Sequence, residues 1–315
     1  MRVRFVLAGN ESIGYECLKT LIEENQQVVG VVTDKMNEET KLKNARIKFL
    51  ANQAGIKVYE PEDVNDSAFL EELRLLDLDL IFNIAFLQLY KAPILSIPKF
   101  GCINFHPGPL PKYGGSNGWV WAIINGESEY GVTFHYMAEK IDAGDVIAIE
   151  RFPIETDETG LSLLLKCYKY GAVSFRRVLR NILEGTVVSA SQDLRQKSYY
   201  YNRTPYDGMI NTGWNAAKIC DFVRALNFSP FPSPLSPAMV AFKGIKLTVT
   251  KAEVLGNAVR EKPNPGEVID ITEDGLTMQT GNGAVLLRLS DHSTPSADTA
   301  RLCVSKGIAV GSVLG

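Results

Sequence analysis

Asn104 and His106 stand two residues apart where a short apolar run, Gly-Cys-Ile-Asn-Phe-His, gives way to Pro-Gly-Pro-Leu-Pro-Lys-Tyr-Gly-Gly-Ser-Asn-Gly over residues 101–118. Side chains alternate between the two faces of a strand, so residues 104 and 106 face the same way. An amide that donates hydrogen bonds and an imidazole that accepts a proton would then look into one cavity. That pairing suits attack on a carbonyl: the amide stabilises a developing oxyanion and the imidazole takes the nucleophile's proton. The same two residues beside a proline loop can also do no more than satisfy backbone groups. Asp142 is a third candidate, at the tip of the polar loop Ala138-Glu139-Lys140-Ile141-Asp142-Ala143-Gly144-Asp145. An aspartate there is most often a turn former. It is also a carboxylate that could be presented to His106, and sequence separation does not choose between the two.

The elements that must position these groups follow from periodicity. Residues 2–8 read as a buried strand, Ile13, Cys17, Leu18 and Leu21 mark a helix, and Val28–Asp34 is a β-branched strand, together a βαβ unit with a right-handed crossover. A helix through Ala45, Phe49 and Leu50 stops at Gly55, and Ile56–Tyr59 returns as a strand. Asn65-Asp66-Ser67 caps a helix containing Phe69, Leu70 and Leu73, and Leu78–Ile84 is the next strand. This alternation predicts an open, Rossmann-like, mostly parallel α/β sheet, with ligands beyond the carboxyl ends of its strands. The turn after the first strand lacks Gly-x-Gly-x-x-Gly, so a dinucleotide site is not supported.

Beyond the proline loop come a short helix over Trp119–Ile124, a strand over Gly131–Met137, and a second over Val146–Ile149 that completes a hairpin. A long helix follows, capped at Thr159 and ended by Gly185, with Leu161, Leu164, Leu165, Tyr168, Ala172, Phe175, Leu179 and Ile182 as its buried stripe. The expected organisation is a catalytic domain over residues 1–190, a linker over 191–208 and a C-terminal domain over 209–315. The last is predicted to be a small OB-like β-barrel, from one helix (Trp214–Leu226) and five short strand-like runs. His135 and His292 are read as structural, Trp119, Trp121 and Trp214 as core, and Tyr199-Tyr200-Tyr201 as packing at the domain junction.

Composition limits the function classes. The chain has 315 residues, 45% of them hydrophobic and 22% charged, as in an ordinary soluble globular protein. No apolar run is long enough for a membrane span, and the N-terminus has no signal-peptide layout. Five cysteines lie far apart, with no metal-ligand spacing, which fits free thiols in a reducing cytoplasm and no metal site. Net charge is −3, and residues 201–315 carry 11 basic against 10 acidic side chains. That balance is not one for gripping many phosphates.

With Asn104-Phe105-His106-Pro107 stand Leu110-Pro111-Lys112-Tyr113, Trp121-Ala122-Ile123-Ile124-Asn125-Gly126, Gly131-Val132-Thr133 and Asp142-Ala143-Gly144-Asp145. In order and spacing this set resembles the 10-formyltetrahydrofolate-dependent formyltransferases, over about residues 1–190. The resemblance is to the two-domain branch that holds methionyl-tRNA formyltransferase and the formyltransferases of nucleotide-linked amino sugars. C-terminal matches are fewer, in Arg224-Ala225-Leu226 and Val310-Gly311-Ser312.

The resemblance implies a catalytic triad of Asn104, His106 and Asp142. It further implies a 10-formyltetrahydrofolate co-substrate lying against the backbone of Gln88, Leu89 and Tyr90 and of Ala138, Glu139, Lys140, Ile141 and Asp142. After Lys112-Tyr113 the family often carries Arg-Gly, where this chain has Gly114-Gly115. An arginine would suit a phosphate or other acidic acceptor, a part that Lys112, Arg203 or linker residues could take. The acceptor expected first is a small-molecule amine, in particular a nucleotide-linked amino sugar, with methionyl-tRNA as the main alternative. A carrier-bound or hydroxyornithine-like amine, hydrolysis of the formyl-folate by water, and a non-catalytic folate-binding module are the remaining readings. The expected partners are thus an amine and folate, with no membrane and with a homo-oligomer left open.

Overall fold

The structure, a computed structural model, describes residues 3–35, 41–255, 264–290 and 298–315. The chain runs β1 (Arg4–Gly9), α1 (Glu11–Glu23), β2 (Gln27–Val32), α2 (Lys41–Gln53), β3 (Val58–Tyr59), α3 (Ser67–Leu75), β4 (Leu80–Ile84), α4 (Ala92–Leu95) and β5 (Cys102–His106). It continues through β6 (Gly114–Gly115), α5 (Gly118–Ile124), β7 (Glu129–Tyr136), β8 (Val146–Pro153), α6 (Gly160–Glu184) and β9 (Tyr199–Tyr200). Seven strands make one sheet in the order β3-β2-β1-β4-β5-β7-β8. Pairings from β3 to β5 are parallel, and β7 runs antiparallel to β5.

The local reasons are those of the sequence. Asp66 caps α3 by accepting from the Ala68 and Phe69 amides, and Ile13, Cys17, Leu18 and Leu21 form the buried face of α1. Strands β1 and β4 occupy the centre, and all five side chains of β4 are buried.

Helix α2 buries a different face from that expected, and α6 matches the expected stripe at Phe175 and Leu179 but not throughout. In α2 the buried positions are Asn44, Ile47 and Ala51, while Phe49 is exposed. In α6 they are Leu163, Cys167, Gly171, Ser174, Phe175, Val178 and Leu179, and Leu165 is exposed. Here close approach outweighs side-chain size. A Cβ at Gly171 would stand 2.4 Å from the ring of Phe105, so only glycine lets α6 lie on that aromatic. Phe105 belongs to a run of rings, Phe105–Phe134–Phe175–Phe82–Phe5, with centroids 4.8–6.1 Å apart.

Two compact units divide the chain. The first holds Met1–Gly118, Tyr130–Phe152 and Leu165–Tyr200, and the second holds Trp119–Glu129, Pro153–Leu164 and Tyr201–Gly315. The stretch expected as a linker therefore has its first half, to Tyr200, in the first unit. There β9 pairs in parallel with β6, and the Tyr200 ring stacks on Tyr113 at 5.5 Å.

The second unit contains α7 (Ala216–Ala225), β10 (Met239–Phe242), β11 (Ile245–Leu255), β12 (Val268–Thr272), β13 (Gly275–Gln279), β14 (Ala284–Ser290) and α8 (Thr299–Lys306). Its antiparallel sheet runs β10-β11-β14-β13-β12. The chain's last residues join the two margins of that sheet: Gly315 exchanges backbone hydrogen bonds with Ala241 of β10, and Gly311 and Ser312 bond Val268 of β12. Trp121, Tyr206, Trp214 and Phe222 pack as one aromatic group, although Trp119, Trp121 and Trp214, expected in the core, are half-buried. Helix α8 was not foreseen, although Asp298 caps its start and left-handed Gly307 its end. His292 lies outside the described residues.

Candidate active site

Strand register brings the polar side chains together. Asn83 of β4, Asn104 of β5 and His135 of β7 are cross-strand partners in one row, and His106 faces Thr133 in the row that follows on β5. All four are positioned by the central sheet. Asp142 arrives on the loop between β7 and β8 with a left-handed backbone (φ 52°) that turns its carboxylate back over the sheet.

There it sits between two imidazoles. Asp142 Oδ2 is 3.7 Å from His106 Nδ1, and Oδ1 is 3.6 Å from His135 Nε2. The Gly115 amide donates to Oδ2 at 2.7 Å. Asn104 Nδ2 lies 3.0 Å from His135 Nε2, and Asn104 Oδ1 accepts from Asn83 Nδ2 at 2.9 Å. The structure thus brings Asn104, His106 and Asp142 to one place, and it brings His135 as well. His135 was expected to be structural; cross-strand register with Asn104 puts it beside these groups.

The tautomer of His106 follows from its contacts. Its Nε2 lies 2.8 Å from the Tyr113 carbonyl, which can only accept, so Nε2 carries the hydrogen and Nδ1 is the basic atom of the neutral ring. Burial pushes the His106 imidazole below its ordinary value, and the Asp142 carboxylate opposes that without reversing it. Asp142 itself is held well below the usual carboxylate range. Burial works against its ionisation, but the His106 ring beside it and the Gly115 amide bond to Oδ2 favour the carboxylate. The resting pair is therefore a carboxylate facing a neutral base, and a proton taken at Nδ1 acquires Asp142 as its counter-charge.

The sign of the pH effect follows. Acidification protonates Nδ1 and removes the base, so the acid limb of kcat is expected below the ordinary histidine value of about 6.5. Asp142→Asn removes the charge that favours the imidazolium and should move that limb to still lower pH while reducing kcat. A limb that moves upward in Asp142→Asn, read from kcat–pH profiles, overturns the assignment.

The two segments expected to hold folate border a common apolar cluster. Phe86 and Tyr90 are buried in it, and Met137, at the start of the Asp142 loop, packs against it. Tyr90 is thus a core side chain, and burial pushes its phenol well up. Gln88 is committed internally, accepting from the Val64 amide at 2.9 Å and donating to the Pro61 carbonyl at 3.2 Å. Leu89, Ala138, Glu139, Lys140 and Ile141 are exposed.

A family model described as formyl transferase matches residues 1–178, and the formyl transferase C-terminal domain matches residues 203–295. This chain belongs to the formyl transferase family. Methionyl-tRNA formyltransferase of Clostridioides difficile (strain 630) is 34% identical over 288 residues, 90% of this chain and 91% of that protein. The protein of the same name from Lachnospira eligens is 33% identical over 291 residues, 90% of each chain. Among solved structures, the sugar 3N-formyl transferase WlaRD superposes with a TM-score of 0.70 at 21% identity, covering 92% of this chain and 99% of its own. The N-formyltransferase from Helicobacter canadensis, solved with folinic acid and dTDP-3-aminofucose, gives 0.69 at 22%, covering 91% and 100%. At such identities the likeness is one of fold.

Around Asn104, His106 and Asp142 of this formyl transferase lies a strap that the sequence did not reveal. Gln192 Nε2 donates to the carbonyls of Asp142 (3.2 Å) and Gly144 (2.7 Å), and Lys197 Nζ donates to that of Ile141 (2.7 Å). The Tyr113 amide donates to Ser198 Oγ at 2.8 Å, and the Ser116 amide to the Tyr200 carbonyl at 2.8 Å. Residues 192–200 therefore tie the Asp142 loop and the 113–116 loop to one segment. No motif marks it, because its contacts run mostly through backbone.

Gly115 stands where these ties cross. Its φ is +85°, and a Cβ there would lie 2.1 Å from the Tyr200 carbonyl oxygen. Gly115→Ala is expected to cost about 1–3 kcal/mol from the left-handed backbone, with a further loss as β9 is pushed off β6. Urea unfolding measures it, and an unchanged midpoint would show that the strap is not seated there.

Proposed function

We propose that this enzyme transfers the formyl group of 10-formyltetrahydrofolate to the primary amine of a small-molecule acceptor, specifically a nucleotide-linked amino sugar. The observation that carries the reaction is the convergence of Asn104, the basic Nδ1 of His106 and the Asp142 carboxylate on one buried point. His106 takes the proton of the attacking amine at Nδ1 while Nε2 stays anchored on the Tyr113 carbonyl. Asp142, 3.7 Å away, then faces an imidazolium and stabilises it. Asn104 donates to the oxygen on which negative charge develops. The exposed Leu87, Leu89 and Ile141 offer apolar surface for the flat pterin ring beside the backbone edges of Gln88–Tyr90 and Ala138–Ile141.

Two features support the small acceptor. The C-terminal residues are nearly neutral, whereas tRNA binding normally requires several phosphates to be neutralised. Sugar N-formyltransferases are also among the solved structures of like fold. Methionyl-tRNA is the second reading, favoured by the name of the 34%-identical relative. The reaction is assigned to the cytoplasm, in keeping with five cysteines that form no disulfide. No helix among the described residues is long and apolar enough to cross a membrane.

The purified enzyme, given 10-formyltetrahydrofolate, is expected to formylate dTDP-3-aminofucose with a higher kcat/KM than charged initiator methionyl-tRNA. Preference for the tRNA overturns the acceptor, and formate release at the same rate without any acceptor replaces transfer by hydrolysis.

A further inference from the structure

We propose that Asn83 and His135 are positioning residues that lock the Asn104 amide in the one orientation that leaves an N–H for the reacting oxygen. The inference rests on the reading of Asn104 as oxyanion donor given above, and it names what makes that donor reliable.

The three side chains form a single row across β4, β5 and β7. The direction of their hydrogen bonds is forced from one end. His135 Nδ1 lies 2.8 Å from the Tyr136 carbonyl, which can only accept, so Nδ1 carries the hydrogen. In the neutral ring Nε2 is then an acceptor, and the Asn104 atom 3.0 Å from it must be the amide nitrogen. Asn104 Oδ1 consequently turns toward Asn83, whose Nδ2 donates to it at 2.9 Å. The oxygen and one amide hydrogen of Asn104 are both committed, and one hydrogen remains.

Without these neighbours the amide could turn end for end and present its oxygen, which repels an oxyanion. The row would also be an odd choice for stability alone. Asn83 is 5% exposed between Phe82 and Ile84, and its Oδ1 has no hydrogen-bond partner among the described residues. An apolar side chain would fill that central strand without stranding a polar atom. Asp142 Oδ1, 3.6 Å from His135 Nε2, is beyond hydrogen-bond length and leaves the Asn104 contact as the one made.

The test measures kcat and KM with 10-formyltetrahydrofolate and whichever of the two acceptors above the parent enzyme formylates. Asn83→Ala and His135→Ala are each expected to lower kcat by about 10–100-fold through misplacement of the donor, with the folate KM nearly unchanged. His135→Gln, which keeps an acceptor oxygen, should lose less than His135→Ala. In an Asn104→Ala background neither change should add more than about 2-fold, since both act through the missing amide. Full additivity there, or normal kcat in both single variants, overturns the proposal while leaving an inactive Asn104→Ala enzyme, and with it the proposed reaction, intact. Normal turnover by Asn104→Ala would instead remove the reaction scheme and this inference together. Nitrogen-15 NMR of the unmutated protein gives a check that needs no variant to fold. The His135 ring should show a protonated Nδ1 and a bare Nε2 at neutral pH, and the opposite tautomer overturns the row as drawn.

Discussion

His106→Ala is expected to lower kcat by about 10²–10⁴-fold, the usual contribution of a positioned general base. The loss should be one of chemistry rather than of folding. His106 gives one hydrogen bond, to the Tyr113 carbonyl, and its loss costs about 0.5–1.5 kcal/mol. A folded domain tolerates such a cost, and circular dichroism through a urea titration would report it separately from rate. The acid limb of the pH profile should vanish with the imidazole, because the other ring nitrogen near Asp142, His135 Nε2, is already engaged by the Asn104 amide. Added imidazole at high concentration should restore part of the rate. A variant that keeps kcat within about 10-fold of the parent would put the base elsewhere.

Asn104→Ala should follow with a loss of about 10²–10³-fold in kcat, the scale for a single oxyanion donor. Its KM for folate should change little, since the amide is called on only as charge develops on the formyl oxygen. Asn104→Asp is the sharper version. It keeps the shape but replaces a donor with a negative charge beside Asp142, so it should be at least as inactive as the alanine variant. Asn104→Asp turnover above that of Asn104→Ala, in steady-state assays at neutral pH, would remove the electrostatic role.

What the sequence disclosed depended on whether the information was local. Alternation along one strand was enough to bring Asn104 and His106 to the same pocket, and strand–helix alternation with clear caps was enough for the parallel sheet. Asp142 was visible as a candidate, but its choice between turn former and site residue needed the loop to fold back to Gly115. His135 was not seen beside Asn104 because its place depends on which residue of β5 lies opposite it, and register between strands 31 residues apart leaves no mark in composition. Asn83 was silent for the same reason. The buried face of α6 was assigned only in part, rightly at Phe175 and Leu179, because periodicity weighs large apolar residues, whereas Cys167, Gly171 and Ser174 also face inward. The strap escaped because main-chain carbonyls, which every residue has, are its chief attachment points.

The final five residues, Gly311–Gly315, have a consequence of their own. By bonding Ala241 of β10 on one side and Val268 of β12 on the other, they cover part of each margin of the antiparallel sheet. Trimming them would uncover the backbone groups of Ala241 and of Val268 at once, each a place for another chain to pair. Solubility of the C-terminal unit is therefore tied to a segment that lies far from any catalytic group in the sequence, and shortened versions of the protein should self-associate before they lose their fold.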